Sequence, residues 1–258
     1  MSTHLHGDDN VYDSLAEGDS FSSERWAFGT GFDDPLAGVD TTVPDGVDVA
    51  ALARLCLALG DDALVLSQRL SAWCSNAHEL EDEVALANIA LDLLGQARLF
   101  LTRAAQADPS IRPSRAPAHI PAEDALAYFR DEEEFTNVRL VERDDDRDFA
   151  RCIARLLAFV TWRLAYLSQL TESPDPVTAA IAAKAVTEMT YHREYAAGWF
   201  VRLGDGTELS HRRLQDAAEW VWPDLDELFV TGGMRDEWFA VLRPVLVAAT
   251  IAEPDAGP

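Results

Sequence analysis

The stretch "ELEDEVALANIALDLLGQARLFL", Glu79 to Leu101, has no proline and a single glycine. Its apolar residues return at the helical spacing, so it reads as one long helix. A helix this apolar is held by packing rather than by propensity, so it needs partners along its length. One narrow stripe breaks the pattern. Asn88, Asp92 and Gln96 fall at i, i+4, i+8, among Leu86, Ile89, Leu91, Leu93, Leu94 and Leu99. Such a helix belongs in a helical bundle, where functional groups sit on facing helices in the core.

The rest of the chain agrees with an all-α reading. Residues 1–47 are acidic and rich in Gly, Ser and Asp, with no period of 3.6 or 2, so they form an irregular extension. Trp26, Phe28 and Phe32 are the residues able to order it against a surface. Residues 48–258 are the bundle. The pattern predicts a helix over Val49–Ser75 with a kink near Gly60, a turn at Asn76–His78, and the long helix to about Gln106. A Pro-rich connector, "ADPSIRPSRAPAHIPAED", follows, then a broken helical stretch and the solvated turn "RDDDRD". A helix from Asp148 to about Leu170 comes next. Asp175 then caps, and Pro176 opens, a helix reaching about Leu203. Two more helices cover about Glu208–Phe229 and Met234–Thr250. No strand pattern or repeat appears.

Charge narrows the partners. The formal net charge is −24 over 258 residues and the pI about 4.4, which disfavours nucleic acid and anionic membranes. "MSTHLHGDDNVYDSL" lacks the basic and apolar regions of a signal peptide. "ARCIARLLAFVTWRLAYLSQL" carries Arg151, Arg155 and Arg163, too many charges for a membrane span. Cys56, Cys74 and Cys152 lie far apart, with neither zinc-ligand spacing nor a disulfide framework, which suits the cytoplasm. Basic side chains are almost all Arg, as a GC-rich genome or a salt-adapted proteome would produce; Lys184 is the one lysine.

A second stripe lies on "AAIAAKAVTEMTYHREYAAGWF", where Lys184, Glu188 and His192 again fall at i, i+4, i+8. Two helices of one bundle thus carry matched polar stripes. One candidate use is a di-iron carboxylate centre, which takes a Glu from each of two helices and a Glu-x-x-His pair from each of two others. The ligands are missing: Met189 stands three residues before His192, and Leu93 three before Gln96. The literal E-x-x-H, Glu208 to His211, opens a helix after a glycine turn, has no second copy and reads as surface. The other uses are a buried hydrogen-bond network that fixes register, or solvent-facing i, i+4 pairs.

At these residues the chain resembles a known family. "LGDDALVLSQRLSAWCSNAHELEDEVALANIALDLLGQARLFL", "FRDEEEFTNVRLVE", "AAKAVTEMTYHREYAAGWFVRLGDGT" and "WPDLDELF" are similar to the non-catalytic ferritin-like subunits of bacterial phenylacetyl-CoA epoxidases. The resemblance covers about Asp48 to Phe229. It implies a ferritin-like fold and a heteromeric complex that adds one oxygen atom of dioxygen across the ring of phenylacetyl-CoA. A homologous catalytic subunit would carry the di-iron centre, a reductase would be a further component, and this chain would hold no cofactor. It implies that Leu93 and Gln96, and Met189 and His192, stand where the catalytic subunit has its two Glu-x-x-His pairs. Catalytic and metal residues are then absent here, and Asn88, Asp92, Gln96, Lys184, Glu188 and His192 form a vestigial polar network. In that network Lys184 takes the vacated cation position, with Asp92 or Glu188 as its carboxylate. The family usually continues into a Gly-rich segment and another helix, where this chain has only "ATIAEPDAGP".

Overall fold

The computed structural model describes residues 34–230 and 234–254. The expectation for Trp26, Phe28 and Phe32 falls outside them. The chain divides into two compact units, Met1–Ala37 and Gly38–Pro258. In the first, residues 34–37 make a turn closed by Leu36 N on Asp34 Oδ1. All that follows concerns the second.

Its long helices are α1 (Val49–Ser71), α2 (Leu80–Ala107), α5 (Phe149–Leu170) and α6 (Pro176–Gly204). Shorter ones fill the connector and the C-terminal part: α3 (Ala122–Tyr128), α4 (Arg139–Glu142), α7 (Glu208–Val221), α8 (Leu225–Leu228) and α9 (Arg235–Ala248). Starts follow the local sequence. Asp48, Asp148, Asp175 and Thr207 each take a backbone N–H of the first turn onto a side-chain oxygen. Pro176 occupies the first turn of α6, as its sequence predicts.

The four long helices form an all-α, ferritin-like bundle. α1 packs along α2 and α5 along α6, each pair joined by a short turn, and the stretch 108–148 links the pairs. Leu59, Leu66, Leu86, Leu93, Phe100, Phe159 and Met189 meet in the core with at most 2% exposure. α5 is buried on nearly every side, because α7 and α9 cover the face that α6 leaves. Two of the arginines that rule it out as a membrane span, Arg155 and Arg163, are therefore interior groups, while Arg151 stays half-exposed.

Three expectations need correction. α1 runs through Gly60 without interruption and ends at Ser71 rather than Ser75. The glycine serves close approach instead: a Cβ there would lie 2.8 Å from the Leu101 side chain of α2. The predicted helix over Glu208–Phe229 breaks at Pro223 into α7, a 3-10 turn (Trp222–Asp224) and α8. "RDDDRD" is not wholly solvated. Asp145 is buried and accepts from Trp73 Nε1 at 3.0 Å and Arg155 Nη2 at 2.9 Å.

The connector is tied down in the same way. Asp61, at the middle of α1, receives Arg130, the Thr136 N–H at 2.9 Å and the Thr136 hydroxyl at 3.0 Å. Its neighbour Asp62 accepts from Val138 N at 2.8 Å.

α2 is long and apolar enough to cross a membrane by length and composition, yet less than half of its most apolar stretch is buried in the bundle. Leu80, Val84, Leu91 and Leu94 stay exposed, with Ala87 between them half-buried. Their spacing alternates four and three, the seam of a helix that receives another helix. Leu91 and Leu94 also line a groove of about 850 Å³, together with Leu64, Tyr128 and Phe135.

Candidate functional site: the polar seam of α2 and α6

The two stripes lie on facing, antiparallel helices. The polar contacts of α2 meet α6 in descending order, like rungs. Asp82 takes Trp199 Nε1 at 2.9 Å and the Tyr195 hydroxyl at 3.1 Å. Asp92 Oδ2 lies 2.9 Å from His192 Nε2. Gln96 Nε2 donates to Glu188 Oε2 at 2.8 Å. Arg103 closes the series on Asp175, Nε to Oδ2 at 3.0 Å with Nη2 on Oδ1.

The middle rungs are related by exchange. Asp92 and Gln96 are one turn apart on α2, Glu188 and His192 one turn apart on α6, and each acid meets the other helix's second residue. A carboxylate only accepts, so His192 Nε2 donates a hydrogen to Asp92. Metal-ligating histidines use this same arrangement, with a carboxylate behind the ring. His192 is 4% exposed, and its Nδ1 has no hydrogen-bond partner among the described residues.

The candidates are not all brought together. Asn88 is exposed on the rim of a surface hollow of about 310 Å³ over the Asp92–His192 pair, outside the network. Lys184 pairs with Glu188, and its side chain is 32% exposed. Leu93 and Met189 are fully buried. Glu208 is solvent-facing with Arg212, while His211 Nδ1 donates to Gly204 O, so those two do not join.

The centre of the seam holds a residue that its sequence pattern did not single out. Arg163 of α5 is fully buried; its Nε donates to Gln96 Oε1 at 3.0 Å and its Nη2 to Leu59 O at 3.1 Å. Burial brings its pKa down to about 10, while the charges of Asp62 and Glu188 oppose the fall. Burial pushes Asp62 up to about 7, against the pull of Arg163 and of the Val138 N–H. The available signal was an arginine inside "AFVTWRLAYL" and two acids inside "LGDDALVL", each flanked by apolar residues on every helical face.

The ligand set of a di-iron centre does not fit these side chains. Such a centre takes anionic oxygen and imidazole donors. Leu93 and Met189 offer a hydrocarbon and a thioether, Gln96 an amide already engaged on both ends, and Arg163 a positive charge. Among the described residues no three His, Cys, Asp or Glu side chains converge on a point able to hold a metal.

Known proteins match this chain over most of its length. The family described as phenylacetic acid catabolic protein matches residues 39–237. One of the subunits of the 1,2-phenylacetyl-CoA epoxidase of Escherichia coli (strain K12) is 44% identical over 210 residues, 80% of each chain. The matched region contains both stripes, the connector and Arg163; the chain belongs to the phenylacetic acid catabolic protein family.

Proposed function

We propose that this chain is the structural, non-catalytic subunit of a phenylacetyl-CoA epoxidase, working in the cytoplasm in aerobic phenylacetate catabolism. It supports a homologous catalytic subunit, which carries the di-iron centre and adds oxygen across the aromatic ring with electrons from a reductase. The relative is named as one subunit of an epoxidase, which supports a heteromeric assembly. The observation that carries the non-catalytic role is the pair Leu93 and Met189, both 0% exposed, at the positions where the resemblance places ligand carboxylates. Without those anions nothing balances two iron ions, and the core packs as hydrocarbon instead.

The chain's own work is then shape. The rungs, buried at Arg103–Asp175 and part-buried at the other two, hold α2 and α6 in one register, so the outer side of α2 is presented as a rigid surface. The Leu80–Val84–Leu91–Leu94 seam supplies the apolar area that an obligate partner needs.

Co-expression with a di-iron homologue, followed by sizing, metal analysis and an epoxidation assay of each peak, tests the role. The chain alone should turn over no phenylacetyl-CoA with any reductase, and the complex should. Turnover by the isolated chain, or separate elution of the two proteins at micromolar concentration in low and high salt, would end this reading.

The seam gives a sharper expectation. Leu91→Glu with Leu94→Glu should weaken the complex at least about tenfold, since charge replaces buried apolar contact. The chain's own stability should shift by no more than about 0.5 kcal/mol per site, because both residues face solvent in it. Pull-down titration and thermal melts measure the two effects separately.

A further inference from the structure

Carboxylates gathered at the centre of a bundle need a balancing charge. Asp62 from α1 and Glu188 from α6 are the acids whose charges act on Arg163. Arg163 makes no direct ion pair with either among the described residues. It reaches Glu188 through Gln96, whose oxygen it bonds and whose nitrogen bonds the carboxylate, and it acts on Asp62 through space. Its position is fixed by neutral groups: Gln96 Oε1 on α2, Leu59 O on α1, and the rings of Phe100 and Phe159, whose centroids lie 5.8 and 5.5 Å away. All four long helices therefore touch or balance this guanidinium.

Lys184 does not fill that role, because it sits on the outer side of Glu188 and is one-third exposed. Arginine suits an interior post better than lysine. Its planar fork divides its donors between two acceptors, stacks on aromatic faces and keeps its charge when buried. Gln96 contributes by being an amide: its oxygen accepts from Arg163 while its nitrogen donates to Glu188.

We propose that Arg163 takes the place of the metal in this bundle, as a covalently attached cation that balances the core carboxylates and keeps metal ions out. The idea concerns this chain's own core and stands or falls apart from its partnership with a catalytic subunit.

Two experiments test it, one on metal and one on charge. The first compares Leu93→Glu/Gln96→His/Met189→Glu with the same triple variant also carrying Arg163→Ala, each equilibrated with Co²⁺. The quadruple variant should take up cobalt, seen by its visible d–d bands and by metal analysis, while the triple variant and the native chain take up none. Equal uptake by the triple and quadruple variants, or none by a folded quadruple variant, overturns the proposal. The second needs no new ligands, so it holds if those variants fail to fold. Arg163→Leu should lower the melting temperature at pH 8 by about 10 °C. The loss should be at most half as large in an Asp62→Asn background, and Arg163→Lys should recover much of it. An Arg163→Leu loss that is the same with and without Asp62→Asn would mean Arg163 is a packing residue only, and would sink the idea.

Discussion

Arg103→Met is expected to lower the unfolding free energy by about 3–5 kcal/mol, the loss typical of one partner removed from a buried ion pair. Arg103 is fully buried on α2 and its Nε and Nη2 both meet Asp175. Nη1 holds Thr41 O at 2.7 Å and Gln106 Oε1 at 3.2 Å. Asp175 meanwhile caps α6, taking the Thr178 N–H at 2.9 Å and its hydroxyl at 2.7 Å. One guanidinium thus joins the end of α2, the start of α6 and the strand of chain leading into α1. Methionine keeps the volume and leaves the carboxylate buried with Thr178 alone. Adding Asp175→Asn, which still caps a helix, should recover much of the loss.

The pH dependence of that loss has a definite sign. Burial pushes the Asp175 carboxyl up, but its bonds from Arg103 and Thr178 hold it below the usual range. A depressed carboxylate contributes stability above its unfolded pKa, about 3.9, and loses it as pH falls through the folded value. The gap between native chain and variant should therefore be widest near neutrality and narrow in acid. Urea titrations at pH 7 and below pH 4 decide it; a gap that widens in acid would contradict the pairing.

Asp62→Asn is expected to do the reverse and stabilise the chain at pH 8. The native carboxyl titrates near 7 when folded and near 3.9 when unfolded. Below pH 4 both states hold the proton and Asp62 contributes no slope. Between about 4 and 7 the unfolded chain releases it and the folded chain keeps it, so stability falls as pH rises. Above 7 the loss is complete. It spans roughly three pH units at about 1.4 kcal/mol each, on the order of 4 kcal/mol. Asparagine keeps an acceptor for the Val138 N–H and has no proton to lose. Its stability curve should match the native one near pH 4, where the slope begins, and rise above it by pH 8. A variant that is equally destabilised at both values would show that Asp62 is charged throughout.

The helices were legible because a period of 3.6 is a local signal. Asp175-Pro176 announced the start of α6, and the two stripes fell on helices that do face each other. What stayed hidden was the burial of charge. Asp61, Asp62, Asp145 and Arg163 look like ordinary charged residues until their partners are known, and those lie far away in sequence: Asp61 with Thr136, Asp145 with Trp73, Arg163 with Gln96. Lys184 attracted attention as the one lysine, but rarity in composition says nothing of depth. The kink expected at Gly60 failed for a related reason: a glycine inside a helix is equally well explained by a neighbour pressed against it, here Leu101. Gln96 was placed on the right helix, while its central role depended on an arginine from α5.

The anchoring of the connector on α1 changes where this chain can be altered. Long links between helices are the usual places to insert residues or cut the chain. Here Arg130, Thr136 and Val138 must reach two adjacent carboxylates at fixed separations along the chain. Adding even one residue between Arg130 and Val138 would carry a donor away from Asp61 or Asp62 and strand a buried acid. The stretch that looks most like a loop is thereby ruled like a measuring tape, and its length is as constrained as that of any helix it joins.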